Sequence, residues 1–255
     1  MYYDTNMNRS KKPHAAYLYD THVHTSESSP CGRLNAQETV RLYSQAGFSG
    51  FCITDHYTRD FFETISGPWS NKARWFLRGY ETAHAEGEKI GFAVFLGMEI
   101  RLDEGISEYL VLGVNQYFIQ SNPELYRFSL AELSQIVRDA DLLLIQAHPF
   151  RESMRPQNMI YLDGIEAYNG NPRFFSDNSR AMHLCKENGI RGISGSDCHR
   201  LNEVATGGIL VKRPLQSEDG LVREIKSGNY LNFISSSERN EAYEKLSFRR
   251  HDRPS

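Results

Sequence analysis

The sequence predicts a single-domain, mostly parallel α/β fold, and three observations support this. Short apolar runs alternate with helical patterns along most of the chain, as they do in parallel α/β proteins. The length of 255 residues suits one barrel-sized domain. The chain is 40% hydrophobic and 24% charged, which is typical of a globular protein with one ordinary core.

The predicted strands are short apolar runs. In chain order they cover residues 17–19, 50–53, 92–96, 109–112, 142–145, 164–167, 192–194 and 208–211. The first sixteen residues are polar and aperiodic, so we expect a flexible arm over 1–16. Residues 17–235 form the predicted domain, and residues 236–255 form a polar tail.

Helical patterns lie between many of these runs. Asn35 with Glu38 predicts a helix start, and Gly47 predicts its end. Ser129 with Glu132 predicts a capping box at the start of another helix. Apolar residues at helical spacing predict further helices over 69–83, over 175–188 and from about 217.

Composition argues against several classes of protein. Lys and Arg number 29 against 32 for Asp and Glu, so no basic bias points to nucleic acid as a partner. We see no apolar run of about 18 residues and no charged-then-apolar leader, so we expect a cytoplasmic protein without a membrane partner. The four cysteines are scattered, which argues against a disulfide scaffold or a zinc finger: Cys31, Cys52, Cys185 and Cys198.

Histidines and carboxylates recur just after the predicted strands. His22 and His24 are two residues apart, so their side chains point to one side of extended backbone. Carboxyl ends of parallel strands meet at one end of the fold, where active sites are built. The sequence therefore predicts a metal site from seven residues: His22, His24, His56, Glu99, His148, Asp197 and His199.

The ligand types indicate which metals and which chemistry to expect. Imidazoles and carboxylates without thiolate pairs favour Zn, Mn or Fe. A single catalytic zinc needs three protein ligands, and the larger set is enough for two or three divalent ions. Closely spaced ions clamp the attacking and leaving oxygens of a phosphoryl displacement and lower the pKa of bound water. Such a metal site therefore favours hydrolysis over redox chemistry as the predicted reaction.

This set of residues, in this order, resembles the PHP (polymerase and histidinol phosphatase) family over about residues 17–211. The resemblance implies a distorted (βα)7 TIM-like barrel with a trinuclear metal site. It implies that His22, His24, Glu99 and Asp197 hold one ion. Glu99 would bridge to a second ion held by His148, and His56 and His199 would hold a third. We predict Glu99, Asp197 and Arg151 as the catalytic residues.

Two positions depart from the family pattern. Many members place an Asp or His ligand after the first histidine pair, where this chain offers Glu27 or Cys31. We favour Glu27, because a carboxylate suits the oxygen-rich set, although a solvated loop residue is an equal alternative. Members often carry a histidine on the strand after the bridging glutamate, where Glu108 is the candidate here. Glu108 is either a ligand or a plain strand-edge carboxylate.

Further residues are expected around the metals. Arg151 and Arg59 follow ligand segments, and either guanidinium could fork onto a phosphate; a surface salt bridge is the alternative for each. Asp55 is expected to orient its neighbours. Glu166 and Asn169 match a recurrent family segment and are expected to support the ligands or contact substrate.

The predicted function is a histidinol-phosphatase-like phosphoesterase that hydrolyses a small phosphorylated substrate with a metal-activated hydroxide. Three alternatives stay open: a nuclease or exonuclease of the same fold, a protein-tyrosine phosphatase, and a non-catalytic metal-stabilised domain. The sequence leaves the oligomeric state open. Four aromatic residues could wall a substrate pocket, but packing at the barrel rim is the favoured interpretation: Tyr57, Phe61, Phe62 and Trp69.

Overall fold

A computed structural model describes residues 16–234, so most of the predicted arm and all of the predicted tail lie outside the described residues. The strands are β1 Tyr17–Val23, β2 Gly50–Ile53, β3 His56–Tyr57, β4 Ala93–Arg101, β5 Glu108–Leu112, β6 Leu143–Gln146, β7 Gly164–Asn169, β8 Gly192–Gly195, β9 Gly207–Val211 and β10 Tyr230–Ile234. The helices are α1 Ala36–Gln45, α2 Arg59–Glu63, α3 Trp69–Ile90, α4 Gln116–Ser121, α5 Leu130–Asp139, α6 Asn178–Asn188 and α7 Glu218–Ser227.

The strands form a nearly closed barrel. Their order is β10-β9-β1-β2-β4-β5-β6-β7-β8, with β3 paired to β4. Strands β1, β2 and β4 are parallel to one another, as are β6, β7 and β8. The barrel closes between β1 and the segment that follows β8, where Val23 bridges Cys198 and the His24 N–H donates to the Cys198 carbonyl at 2.9 Å. The expected distorted α/β barrel is confirmed.

Strand β5 runs against its neighbours. It pairs antiparallel with both β4 and β6. Only residues 102–107 separate it from β4, which is too short for the helical crossover that parallel strands need. As a result, the first residue of β5, Glu108, lies at the same end of the barrel as the last residues of the parallel strands.

Local hydrogen bonds begin and end the helices largely where the sequence predicts. The Asn35 side chain accepts from the Glu38 N–H at 2.8 Å, and Ser129 and Glu132 form the predicted capping box. Helix α6 ends at Gly189, whose φ of 64° is left-handed. It begins at Asn178, later than predicted, because Asp177 caps its first turn.

The aromatic residues after β3 pack into the core. The rings of Phe62 and Tyr57 lie 4.6 Å apart, and those of Phe62 and Trp69 lie 4.8 Å apart. Tyr57 and Phe62 are fully buried, and their cluster joins α2 and α3 to the barrel. Burial of one such ring contributes about 2–3 kcal/mol. Among residues 16–234, no helix is both long and apolar enough to span a membrane.

Candidate metal centre

The seven predicted ligands meet at the end of the barrel where the parallel strands finish. Their donor atoms fall into overlapping groups, each within 4.8 Å: His22, His24 and Glu99; His24, His56 and His199; His56, Glu99 and Glu108. Residues His148 and Asp197 contact the same set. The strands extend further than predicted, since β1 runs to Val23 and β4 to Arg101. His22 and Glu99 therefore lie on rigid strand backbone.

Glu99 lies at the centre of the cluster. Its Oε1 is 3.2 Å from His22 Nε2 and 3.0 Å from His148 Nε2. Its Oε2 is 3.4 Å from His24 Nε2 and 2.9 Å from His56 Nδ1. Parallel pairing of β3 with β4 places His56 opposite Glu99. One buried carboxylate thus faces four imidazoles, which is the position of a bridging ligand.

Asp197 faces the first histidine pair from the other side. Its Oδ1 is 3.6 Å from His22 Nε2 and 3.5 Å from His24 Nε2. The backbone is left-handed at Asp197, with φ of 53°, and at His148, with φ of 27°. Residues other than glycine take this conformation only where the surrounding structure imposes it. The barrel end therefore holds two cluster residues in strained backbone.

Glu108 also reaches the cluster. Its Oε2 is 3.5 Å from His148 Nε2, and it groups with Glu99 and His56. Glu108 pairs with Arg101, two residues beyond Glu99 on β4, so both glutamates lie on one face of the sheet. The antiparallel direction of β5 is the reason that Glu108 is available here.

His56 and His199 form a second part of the site, and the loop that carries Cys31 lies beside them. Their Nε2 atoms are 3.4 Å apart, and the Arg33 N–H of this loop donates to the His199 carbonyl at 2.8 Å. Burial opposes ionisation of the Cys31 thiol, but the nearby imidazoles of His199 and His56 lower its pKa to about 6.

Burial and neighbouring charges shift the pKa values of the carboxylates and imidazoles in the cluster. Burial alone would raise the pKa of Glu99, but His22 and its neighbours hold that pKa well below the usual range. The pKa of Asp197 is also held well below its usual range, because the charges of His22 and Arg151 outweigh the effect of burial. Burial would lower the pKa of His22, yet Glu166 and Glu99 raise it well above the ordinary value. Burial and the nearby His199 lower the pKa of His24.

Glu166 and Asn169 bond directly to ligands, and Asp55 holds Ser29, whose Oγ lies 3.2 Å from His24 Nδ1. Glu166 Oε1 lies 2.9 Å from His22 Nδ1, and its Oε2 accepts from the His148 N–H at 2.9 Å. Asn169 donates to Glu166 Oε2 at 2.9 Å and to Asp197 Oδ2 at 3.3 Å. Asp55 accepts from Ser29 Oγ at 2.7 Å and from both the backbone N–H and the hydroxyl of Thr25. Such bonds fix the orientation of ligand side chains.

Two predicted residues are not brought to the cluster. The Glu27 carboxylate accepts from the Ala36 N–H at 3.0 and 3.1 Å, so it satisfies the first turn of α1. Arg59 pairs with Asp103 and Glu63 on the rim instead of facing the ligands. Glu27 and Arg59 each bond to a group outside the ligand cluster, so neither side chain joins the ligands.

Arg151 does reach the cluster. Its Nη2 donates to Asp197 Oδ2 at 2.5 Å and to Asn169 Oδ1 at 3.2 Å. Its Nε is buried and has no hydrogen-bond partner among the described residues. A guanidinium with one edge held and a donor unused can still bind an anion beside the ligands.

Two buried carboxylates were missed as supporting residues. Asp20 Oδ1 accepts from the N–H groups of His22 and Ser196, both at 3.0 Å. Glu203 Oε2 accepts from the His199 N–H at 2.7 Å. The position of Asp20 two residues before His22 is a signal that could have found it. Glu203 ends a single 3₁₀ turn, Leu201–Glu203, that has no recognisable sequence pattern.

The donor set fits divalent metal ions. Imidazole nitrogens and carboxylate oxygens converge from several strands with little exposure, and the outer ring nitrogens of His22 and His199 are held by protein oxygens. Four imidazoles lie around one buried carboxylate, and divalent ions held by these residues would satisfy the lone pairs of their nitrogens and oxygens.

Comparison with known proteins gives a consistent result. The profile of the PHP domain matches residues 20–197, and that of the PHP-associated C-terminal region matches residues 175–230. No curated protein gives a significant match.

Solved structures share the fold at low sequence identity. A two-domain protein from Bacteroides vulgatus, containing a predicted PHP-like metal-dependent phosphoesterase, has a TM-score of 0.61 and 17% identity over 91% of this chain and 69% of its own. A metal-dependent phosphoesterase structure from Bifidobacterium adolescentis has a TM-score of 0.52 and 19% identity, covering 81% and 94%. A lesion-specific endonuclease from Pyrococcus furiosus has a TM-score of 0.57 and 13% identity, covering 86% and 58%. The profile match spans well over half of the sequence, and the chain belongs to the PHP domain family.

Proposed function

We propose that this protein is a metal-dependent phosphoesterase that hydrolyses a small phosphorylated molecule. The observation that carries the proposal is the environment of Glu99, whose two oxygens lie within 3.4 Å of four imidazoles at the end of the barrel where the parallel strands finish. A shared carboxylate between histidines is the arrangement that places two cations close together. The intact ligand set argues against a merely structural metal site.

The residues divide into three sets, and the first two share Glu99. His22, His24, Glu99 and Asp197 would hold one ion. Glu99, Glu108 and His148 would hold a second, and His56 with His199 would hold a third. Two or three ions of Zn, Mn or Fe would supply charge for the phosphoryl oxygens and lower the pKa of bound water.

Arg151 would orient the substrate. Asp197 and Asn169 hold one guanidinium nitrogen, and the buried Nε has no partner among the described residues. Guanidinium donors in a fixed plane match the oxygens of a phosphate. Arg151 would therefore bind the phosphoryl group and hold it against the ligand cluster.

One observation favours a nuclease as the second candidate. Phe174 and Phe175 follow β7 at the same end of the barrel and are 46% and 82% exposed. The guanidinium carbons of Arg151 and Arg173 lie 4.7 and 4.9 Å from the Phe174 ring centroid. An exposed aromatic face flanked by cations can stack a nucleobase.

A substrate panel tests the proposal. Purified protein would be assayed with and without Mn²⁺ or Zn²⁺ on histidinol phosphate, other phosphorylated metabolites, p-nitrophenyl phosphate, a phosphotyrosine peptide and single-stranded oligonucleotides. We expect metal-dependent turnover of a small phosphomonoester. Preferential cleavage of oligonucleotides would favour the nuclease, and no turnover in any metal-supplemented arm would contradict a phosphoesterase.

A further inference from the structure

The barrel closes where residues 20–24 face residues 194–199, and we call these two segments the seam. The described parts of β1 and β8 do not pair with each other in a ladder. Instead, Val23 and Cys198 form a single bridge, and the Cys198 N–H donates to the His22 carbonyl at 3.3 Å. Because backbone pairing across the seam is sparse, side chains have to contribute to its spacing.

The candidate ligands come from both sides of the seam. His22 and His24 lie on one side, and Asp197 lies on the other. Asp197 Oδ1 is 3.6 Å from His22 Nε2 and 3.5 Å from His24 Nε2. A metal site tolerates errors of only about 0.2 Å in its ligand distances. The separation of the two segments therefore governs how well one ion can bind both.

A buried network of three side chains joins the two sides. The Tyr43 hydroxyl, from α1, donates to Asp20 Oδ2 at 2.7 Å and lies 2.8 Å from Ser196 Oγ. The other oxygen, Asp20 Oδ1, accepts from the N–H groups of His22 and Ser196. Ser196 Oγ donates to the His22 carbonyl at 3.2 Å. Tyr43, Asp20 and Ser196 are all fully buried, so the loss of one of these bonds is costly.

Packing holds the Tyr43 ring independently of its hydroxyl. The ring lies edge-on to Phe48 and Phe51, with centroids 5.3 and 5.2 Å away. On the other side of the network, a Cβ at Gly195 would lie 2.5 Å from His22 Cβ, so the two segments are already in close contact. Packing thus limits their approach, and the hydrogen-bond network limits their separation.

We infer that Tyr43 is a positioning residue of the metal centre. Through Asp20 and Ser196, its hydroxyl fixes the separation of His22 and Asp197, and so sets the affinity for the ion that these two ligands share. The inference rests on the metal centre of the proposed function, but it does not depend on which phosphoester is hydrolysed.

Replacement of Tyr43 by phenylalanine tests the inference. Full-length, metal-depleted protein would be titrated with Co²⁺ and followed by visible d–d absorption. Residues that orient metal ligands contribute about 10–100-fold to metal affinity, so Tyr43→Phe should weaken Co²⁺ binding at one site at least tenfold. The d–d spectrum should also change, because it reports the coordination geometry. The ring keeps its contacts with Phe48 and Phe51, so circular dichroism should stay the same.

Tyr19→Phe is the matched control. Tyr19 is also buried, at 2% exposure, and its hydroxyl accepts from the Leu215 N–H at 2.9 Å, outside the seam. Both variants lose one buried hydroxyl, so a general loss of stability would affect them alike. Wild-type affinity and spectrum in Tyr43→Phe, or equal losses in the two variants, would overturn the inference.

Ser196→Ala breaks the network from the other side of the seam. If Tyr43 and Ser196 act together, the loss of Co²⁺ affinity in the double variant should be clearly smaller than the product of the two single losses. Losses that multiply would refute a shared network. Should Tyr43→Phe not fold, Ser196→Ala decides alone: a tenfold weaker affinity supports the inference, and wild-type affinity contradicts it.

The two proposals fail in distinguishable ways. Weakened Co²⁺ binding in Tyr43→Phe without phosphoester turnover by the wild type would uphold the positioning role and contradict the proposed hydrolysis. Turnover by the wild type with unchanged Co²⁺ binding in Tyr43→Phe would refute the positioning role and leave the hydrolysis standing. A wild type that binds no Co²⁺ would contradict both.

Discussion

Replacement of Glu99 by glutamine is the sharpest test of the metal centre. The change keeps the side-chain volume but removes the charge, and it turns one oxygen into an NH₂ group. Each oxygen faces two imidazoles: Oε1 faces His22 and His148, and Oε2 faces His24 and His56. An amide nitrogen does not bind a metal ion, so whichever orientation the amide takes, one pair of histidines loses its shared anionic ligand.

The size of the effect follows from this geometry. Loss of one preorganised electrostatic element at a reacting centre lowers turnover by about 10²–10³, or about 2.7–4 kcal/mol. We expect Glu99→Gln to lose at least a hundredfold in kcat and to bind fewer metal equivalents. The fold should survive, because the flanking Met98 and Ile100 are fully buried and β4 keeps its pairing with β3 and β5.

The assay compares turnover of p-nitrophenyl phosphate in Mn²⁺-supplemented buffer with metal content and circular dichroism of the same preparations. His183→Asn is the control, since His183 is an exposed residue of α6. Glu99→Gln with wild-type turnover and metal content would refute the bridging position. Loss of the dichroism signal in Glu99→Gln would show that the fold depends on this carboxylate.

Three further outcomes are expected. Arg151→Met should raise KM for a phosphomonoester about tenfold or more at unchanged metal content, because a charge-assisted hydrogen bond contributes about 1.5–3 kcal/mol. The control variant Arg59→Met, on the rim, should leave KM unchanged. Equal KM values for Arg151→Met and the wild type would contradict phosphate binding by Arg151. Glu27→Gln should lower the free energy of unfolding by about 0.5–1 kcal/mol through the start of α1, as measured by denaturant titration, and an altered metal content would show instead that Glu27 is a ligand. In metal-free protein the raised pKa of His22 stabilises the fold below the unfolded value near pH 6.5, and this contribution is lost as the pH rises through the folded value. Metal must displace such protons, so calorimetry in two buffers should detect proton release at neutral pH and tighter binding as the pH rises. Zero release would contradict ligation by imidazoles that are protonated in the metal-free protein.

The positions of the main candidate ligands were predictable because they depend on local periodicity and strand ends. His22 and His24 alternate with buried Val23 along β1, and His148 and Asp197 follow parallel strands whose ends must meet. Helix starts were equally local, because an Asn35 or Ser129 cap bonds only three residues ahead. These relations involve residues close together in the sequence, so they do not depend on how the strands and helices pack.

The tertiary structure decided which side chains at equivalent sequence positions reach the site. Glu108 does so because β5 runs antiparallel, a direction that depends on pairing with both β4 and β6. Glu27 turns away from the ligands and accepts from the Ala36 N–H at the start of α1, whereas Arg33, in the same loop, donates to the His199 carbonyl. Such choices depend on contacts between residues far apart in the sequence.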